Sequence, residues 1–476
     1  MTSLPLRAAN GRAVSTTNRM TVHKPQLQYT LPVLLLCLAA TPALARDHSD
    51  EISEEEANAP VDAILWIHMF LQATVWGLLF PIGMVLGLSR SKWHVPLQGT
   101  GFALTIGGYF LGHMHGGRKF LKSAHGTFAN IVMVFIAVQL SVGIYLKLHI
   151  HERSIRPYGV VLHGIVGRIY PIIGWTQMLF GAIAYTGCCR GHYWRQCMWR
   201  YIMGSGFIVY AIIMAAMLLV EGGWIQRKGR SPEFYESLVI TLWGLVSTFS
   251  AQGTRHTVIG VFWWTGGMLG LFLSRNGQRS VIPALIVIIT GWAFCGITQV
   301  LMFSTMVHTA FGYTLAVAGV TRIIEVCFIA HKDTTLSPWE DGISDTAPVE
   351  TPTNGGISPL RAFRYLPPFF LIVGGLLFMS GTKEEINYVH GSGMDHVTYI
   401  LIIFSIAFLM YTFTLCLIHL YLNSGRIAAN RSTPNGDAIE MHPAANGWSK
   451  WHAPVSTSSG GPEEARHIIG DDDDDD

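Results

Sequence analysis

The sequence predicts an all-α membrane protein, a polytopic bundle of about 11 transmembrane helices. Three observations favour this class. Half of the 476 residues are hydrophobic and only 13% are charged, against about 25% in a soluble chain. The mean hydropathy is +0.36, and the 50 glycines suit membrane helices that approach closely. The net charge of +2 comes without a dense basic block, so no nucleic-acid partner is indicated.

The first 45 residues predict a cleaved signal peptide. Basic residues precede a short apolar run, LPVLLLCLAA (31–40), which has too few residues to span a membrane. Ala43 and Ala45 form an A-x-A-like cleavage site, and an uncleaved anchor is the alternative. In either case the acidic segment 46–60 lies on the lumenal or extracellular side.

Eleven apolar runs of about 16 to 29 residues follow, where a bilayer requires about 20. The predicted spans are 61–88, 95–112, 125–147, 158–186, 202–220, 237–252, 257–273, 281–303, 308–330, 363–380 and 397–421. They form membrane regions 61–186, 187–330 and 362–421. The polar segment 331–361 is predicted to be a cytosolic linker, and 422–476 a disordered cytosolic tail.

The basic loops set the predicted orientation, with the N-terminus outside. Four of them then fall inside, as the positive-inside rule requires: 89–92, 151–156, 225–230 and 274–279. Two basic loops, 116–122 and 188–200, fall outside, against that rule. The predicted location is a secretory-pathway membrane (plasma membrane, vacuole or ER), with the C-terminus in the cytosol.

One histidine lies near the start of each of the first four spans: His68, His94, His125 and His163. Because consecutive spans are antiparallel, His68 is expected to meet His125 near the outer face, and His94 to meet His163 near the inner face. Ionisable residues inside membranes are functional candidates. A pair of imidazoles fills both axial positions of haem iron and favours one-electron transfer. The pattern therefore predicts two bis-histidine haem b groups, with these histidines as cofactor and iron ligands.

The residues around these histidines resemble the cytochrome b561 family of di-haem transmembrane reductases. The resemblance covers residues 61–186 and implies a four-helix core that pairs helix one with three and helix two with four. It also implies a homodimer. The fourth span departs from the family, because Gly164 follows His163 where a second histidine is common. The other matching positions are Trp76, Gly77, Pro81, Gly83, Val95, Gln98, Gly101, Phe102, Gln139 and Gly167.

Residues at both faces are candidates for substrate contacts. Ascorbate-using members of the cytochrome b561 family carry basic residues beside the cytosolic haem, a role that Lys92, Arg153 and Arg156 could fill here. On the outer side, His113 and His115 are candidates for binding ferric or cupric ion.

The later spans resemble a fungal family of yeast putative transmembrane proteins (Ytp-type), through residues 252–270 and 304–326. That resemblance implies a fold without a settled activity. His256 and His308 open two spans at the same face, so they are candidates for a third haem or metal site, with simple helix packing as the alternative. Arg322 and Glu325 lie one helical turn apart and are expected to neutralise each other.

The outer loop 188–200 carries three cysteines, Cys188, Cys189 and Cys197. An oxidising compartment favours a disulfide between two of them. The third thiol would then remain free.

The predicted function is di-haem electron transfer from a cytosolic reductant, an ascorbate-like molecule or a protein, to an outer ferric or cupric ion. The chain is thus a candidate ferric or cupric reductase. A membrane transporter or scaffold that has a non-redox form of the fold is the alternative, and a metal-ion carrier is a third. The sequence has no nucleotide, flavin or zinc-protease motif, so any electron donor must come from outside the chain.

Overall fold

The computed structural model describes residues 53–152, 154–191, 194–220, 229–250, 254–296, 301–328 and 359–425. The regular structure in these ranges is helical. The helices are α1 Glu54–Asn58, α2 Ala63–Leu88, α3 His94–Met114, α4 Ala124–Lys147, α5 Arg156–Thr186, α6 Trp194–Leu219, α7 Pro232–Ser250, α8 Thr254–Leu273, α9 Ile282–Cys295, α10 Met302–Phe328, α11 Leu366–Met379, α12 Lys383–Gly391 and α13 His396–Leu422. A 3-10 turn, Pro359–Tyr365, precedes α11. The predicted signal peptide, nearly all of the linker and the tail beyond residue 425 lie outside the described residues.

Six of these helices are long and apolar enough to cross a membrane: α2, α4, α6, α10, α13, and α11 together with its preceding turn (Ala362–Met379). The chain is therefore a polytopic helical membrane protein, as its composition predicts.

The helix boundaries correct the prediction in three places. The predicted span 281–303 is too long, because α9 ends at Cys295 and α10 begins at Met302. The residues between them, 296–301, read GITQVL and include only two polar side chains, so hydropathy averaged over a long window does not reveal the break. Helix α7 begins at Pro232, and proline suits a first helical position because its missing N–H needs no partner there. The short helix α12 was not predicted.

Helix α2 contains a π-helical turn at Val75–Leu79. Pro81 follows this turn and lacks an N–H to donate, so the ordinary helical hydrogen bond to the carbonyl of Gly77 cannot form. Phe80 instead donates to the carbonyl of Val75. The wider turn carries Trp76 into the core, where its side chain is 5% exposed.

Helices α2 to α5 form two antiparallel hairpins, α2 with α3 and α4 with α5. Their buried residues make one apolar core, and a second core joins α6 to α13. We name face A the end of the bundle where α2, α4 and α6 begin, and face B the opposite end. Helix α13 runs parallel to α2, because Ser424 beyond its end donates to Ser89 beyond the end of α2 at 2.7 Å.

The acidic segment before α2 is bound to face A. Asp62 caps α2 by accepting from the backbone N–H of Leu65 at 2.9 Å, and its other oxygen accepts from Gly116 at 2.7 Å. Lys119 forms an ion pair with Glu56 at 2.6 Å. The α2–α3 hairpin is thus closed at face A by contacts from the preceding segment.

Candidate functional site

The four core histidines form two facing pairs in the structure. The imidazole rings of His68 and His125 have centroids 6.2 Å apart, with their planes at 85°. The rings of His94 and His163 also have centroids 6.2 Å apart, at 88°. The first pair lies at face A and the second at face B. Each pair joins the two hairpins, because one member comes from α2 or α3 and the other from α4 or α5.

Three of the four rings are oriented by a backbone carbonyl. The Nδ1 atom of His68 donates to Gly108 and that of His94 donates to Gly83, each at 2.7 Å. His125 donates from Nδ1 to Gln177 at 3.2 Å. A carbonyl only accepts hydrogen bonds, so Nδ1 carries the proton in these rings and Nε2 keeps a free lone pair. The Nδ1 atom of His163 is buried and has no hydrogen-bond partner among the described residues.

Each ring packs against a glycine of its own hairpin. A Cβ atom added to Gly112 would lie 2.6 Å from His68, and one added to Gly87 would lie 2.7 Å from His94. The corresponding contacts are 3.2 Å between Gly181 and His125 and 3.4 Å between Gly143 and His163. The absence of a side chain at these glycines leaves the space that the rings occupy.

Four glutamines repeat this arrangement one turn deeper in the core. Each donates from its amide nitrogen to a carbonyl of the partner helix in its hairpin: Gln72 to Thr105, Gln98 to Phe80, Gln139 to His163 and Gln177 to His125. The amide oxygens of Gln72, Gln139 and Gln177 are buried and have no hydrogen-bond partner in the part of the chain that the structure describes. Buried polar atoms are normally paired, so these oxygens leave hydrogen-bonding capacity beside both histidine pairs.

Aromatic rings fill the space between the two pairs. Trp76 stacks on Tyr170 at 5.4 Å, and Phe80 contacts Trp76 at 4.7 Å and Phe102 at 5.4 Å between centroids. All four side chains are at most 8% exposed. The middle of the four-helix unit is therefore packed and apolar.

The histidine pairs fit a bis-imidazole metal group. Two imidazoles that bind one metal ion through Nε2, at about 2 Å each, have centroids roughly 6 Å apart. Both pairs already have that spacing, and carbonyl bonds at Nδ1 orient rings in the way typical of metal-ligating histidines. The donor set is nitrogen only, which suits haem iron.

The other predicted contact residues lie apart from these pairs. His113 is exposed, with its ring 4.4 Å from that of Tyr109, and His115 packs on Phe120 at 5.9 Å. Lys92 is exposed and Arg156 is half-buried at face B. Arg153 lies outside the described residues.

The third predicted site is described only at His308. Its side chain is 6% exposed, and Nδ1 lies 2.8 Å from the carbonyl of Ser304 in the preceding turn. Helices α8 and α10 run parallel, so His256 and His308, which lie near the starts of these helices, are at the same face. The side chain of His256 lies outside the described residues.

An ionic cluster at face B extends the expected pair of Arg322 with Glu325. Arg322 donates to Glu233 at 2.8 Å and to Glu236 at 2.6 Å, and it also pairs with Glu325. Arg279 bonds both Glu233 and Glu325 at 3.0 Å. Arg364 lies 3.9 Å from Glu325. The glutamates and Arg322 are at most 2% exposed. Sequence reasoning missed Glu233 and Glu236. They could have been noticed as two acidic residues, three positions apart, directly before an apolar run.

Residues 173–422 match the family described as Protein YTP1-like, C-terminal, which is more than half of the chain. The chain belongs to the YTP1-like family. Residues 48–149 match a domain of unknown function, DUF2427. His163 lies between the two matched regions, although α5 packs with α4.

Two curated relatives are similar to this chain. Protein YTP1 of Saccharomyces cerevisiae is 36% identical over 263 residues, which cover 53% of this chain and 52% of that protein. An uncharacterized membrane protein of Schizosaccharomyces pombe is 21% identical over 289 residues, covering 49% and 53% respectively. The chain thus spans about half the length of the curated relatives it matches. No solved structure matches it.

Proposed function

We propose that this chain binds two b-type haems, in a core like that of the cytochrome b561 family, and moves single electrons across its membrane. The observation that carries the proposal is the 6.2 Å imidazole spacing, present once at each face. Haem iron with two axial imidazoles supplies one-electron exchange, because it has no open position for oxygen chemistry.

The chain's own residues would supply ligation, separation and a dry interior. His68 and His125 would hold the group at face A, and His94 and His163 the group at face B. The 18 residues of α3 from His94 to Gly112, at about 1.5 Å each, separate the pairs by roughly 27 Å of helix. The aromatic rings between the pairs exclude water from this interval.

The direction of transfer follows from the predicted orientation. Face B would face the cytosol and receive electrons from an ascorbate-like reductant or a donor protein near Lys92 and Arg156. Face A would face outward and pass electrons to ferric or cupric ion near His113 and His115. The protein would then act as a metal-ion reductase of the secretory-pathway membranes, and the resemblance to the cytochrome b561 family favours a homodimer.

A reduced-minus-oxidised optical spectrum of the purified protein tests the proposal. We expect two low-spin haems per chain, and one in the His125→Ala variant. The exposed histidine in His113→Ala provides a matched control that should keep both. If His125→Ala retains two haems, the ligand assignment is wrong. If the wild-type protein is colourless after expression with added haem, the redox function is wrong.

A membrane transporter is the second candidate function, and the ionic cluster at face B favours it. Buried charges within membrane helices commonly mark ion pathways. A colourless protein that drives proton uptake into proteoliposomes, and loses that uptake in Glu236→Gln, would support the transporter in place of the reductase.

A further inference from the structure

The loop between α5 and α6 brings three sulfur atoms together at face A. The Sγ atoms of Cys188, Cys189 and Cys197 all lie within 4.8 Å of one another. Cys189 and Cys197 form the disulfide expected for this loop, and Cys188 remains a free thiol. All three side chains are 4 to 5% exposed. In the described part of the chain, no other three histidine, cysteine or acidic side chains cluster this closely.

The backbone conformation of this loop brings the sulfur atoms of the adjacent residues Cys188 and Cys189 close to each other. Gly187 ends α5 with φ +71°, and Cys189 itself has φ +60°. A residue with a side chain rarely adopts this left-handed conformation, and it persists only where the surroundings hold it. Consecutive side chains would otherwise diverge. The left-handed turn at Cys189 therefore accounts for the position of its sulfur beside that of Cys188.

The free thiol has hydroxyl partners. The hydroxyl of Thr186 lies 3.1 Å from the sulfur of Cys188, and the hydroxyl of Tyr201 lies 3.6 Å from the same sulfur. Thr186 also lies 2.8 Å from the carbonyl of Ala182, so its single proton serves one of these two acceptors at a time. Hydroxyl donors stabilise a thiolate and orient it when it binds a metal. A disulfide alone needs no third sulfur and no donors to it.

We propose that the reduced form of this three-cysteine centre binds one cuprous ion through three thiolates. Three sulfurs at about 2.3 Å from one ion lie about 4 Å from each other. The sulfur of Cys188 already lies within 4.8 Å of the other two, and the two sulfurs released from the disulfide would separate to that distance. Thiolates select soft cations such as Cu(I) and Zn(II). Structural zinc sites almost always have four protein ligands, whereas this centre offers three and is buried, so the three-coordinate arrangement favours Cu(I). In the disulfide form two of the three ligands are lost, so oxidation closes the site.

A small thiol can act as the reductant that converts the disulfide form of the centre into the metal-binding form. Two thiol molecules open the Cys189–Cys197 disulfide; they are oxidised to their own disulfide, and the two cysteines become thiols. One Cu(I) ion then replaces three protons, which leave to solvent. The resulting centre has a formal charge of −2.

Copper binding by the full-length protein in detergent tests this proposal. Oxidised and thiol-reduced samples, freed of reductant under anaerobic conditions, are titrated with Cu(I) against a chromogenic chelator. We expect about one Cu(I) per chain only after reduction, and at least a tenfold weaker affinity in Cys188→Ser, which keeps the disulfide pair. Cys416→Ser, which removes an exposed thiol elsewhere, is the matched control and should bind like the wild type.

Three outcomes would overturn the proposal: equal binding by oxidised and reduced wild-type protein, equal affinity in reduced Cys188→Ser, or preferential binding of Zn(II) by the reduced protein. The comparison of oxidised with reduced wild-type protein needs no variant, so a folding defect in Cys188→Ser leaves the test intact.

Discussion

At the residue scale, each histidine of the two pairs depends on a glycine that faces it. A Cβ atom added to the glycine would lie 2.6 Å from the ring at Gly112 and 3.4 Å from the ring at Gly143, so the space behind the rings differs. A ring with a glycine behind it can stand close to the neighbouring helix and still reach across the hairpins. This use of glycine is invisible in sequence, because the chain has 50 glycines and only the helix register reveals which ones face a ring.

The substitution Gly112→Ala should weaken haem binding between His68 and His125 at face A. Its Cβ would displace the ring of His68, and such overpacking costs about 1–3 kcal/mol, which weakens binding about five- to 150-fold. The measurement is haem per chain in the purified variant. Gly107→Ala, on the same helix with nothing within 4 Å, is the control and should retain both groups. Equal haem content in the two variants would contradict this role for Gly112.

Glu385 should make stability depend on pH. Burial raises the pKa of this carboxyl from 4.5 to about 7, against hydrogen bonds from Tyr399 and Thr382. The folded protein therefore keeps a proton that the unfolded chain has released above pH 4.5. Its stability should fall as the pH rises from about 4.5 to 7, by at most about 3 kcal/mol. Thermal unfolding of wild-type protein across this range measures the effect.

Glu385→Gln should flatten that pH dependence, since the amide does not titrate. The neighbouring Glu384 is exposed, so Glu384→Gln should leave the slope unchanged. If Glu385→Gln unfolds with the same pH dependence as the wild type, another group is responsible.

At the element scale, the two basic loops that are predicted to lie outside, against the positive-inside rule, have partners on their own face. Lys119 pairs with Glu56, and Arg118 donates to the carbonyl of Ala57 at 2.9 Å. In the other loop, Arg200 donates to the carbonyl of Gly381. These contacts hold the basic side chains at face A in the folded protein. The positive-inside rule counts Lys and Arg and gives little weight to acidic residues, so the two loops still oppose it.

The ionic cluster ties α7, α10 and the segment before α9 together, so removing its central cation should destabilise the second core. Arg322→Met would leave Glu233 and Glu236 buried without their main partner, at a cost of about 3–5 kcal/mol. The thermal unfolding midpoint should drop accordingly. Arg275→Met, in the loop before α9, removes an exposed arginine that stacks on Phe272 and should change stability by less than about 0.5 kcal/mol. Similar midpoints in both variants would show that the cluster is not needed for folding.

The elements differ in how far the sequence predicts them. Long apolar runs predict the positions of the membrane helices because hydropathy over about 20 residues is a strong signal. The break between α9 and α10 has only Thr298 and Gln299 to mark it, too few polar residues to interrupt an average over about 20 residues, and α12 is too short and too polar for that signal. The sequence predicted only the Arg322–Glu325 pair of the ionic cluster. Its other contacts join residues that lie 46 to 89 positions apart in the chain.

At the scale of the whole molecule, α2 and α13 run in the same direction and end side by side through Ser89 and Ser424. Both helices are long and apolar enough to cross a membrane. If both cross it, the described residues before α2 (53–62) and after α13 (423–425) are expected on opposite sides of the membrane. An epitope placed ahead of Ser53 and one placed after Gly425 should be accessible from opposite sides in sealed vesicles. Accessibility of both from one side would contradict the parallel arrangement.

The two histidine pairs were the most predictable part of the candidate site. In consecutive antiparallel helices, histidines at the helix starts alternate between the two faces, so only the first and third, and the second and fourth, can meet. The rings do approach each other in these two pairs. Whether haem binds stays a prediction. Gln98 and Gln139 were matched to the cytochrome b561 family by sequence, but the carbonyl partners of the histidines and glutamines could not be predicted, because each depends on the relative rotation of two helices.

The hydrogen bonds at Nδ1 also make the two proposed haem sites electrochemically unequal. An imidazole that donates to a carbonyl is the more electron-rich ligand, and it stabilises the oxidised metal. Both rings at face A have such a bond, whereas at face B only His94 does, and the Nδ1 atom of His163 has no partner within the described ranges. By this contribution alone, the face A iron would have the lower reduction potential. Transfer toward face A would then run against a small electrochemical step, and an acceptor that removes electrons there would set the direction of flow.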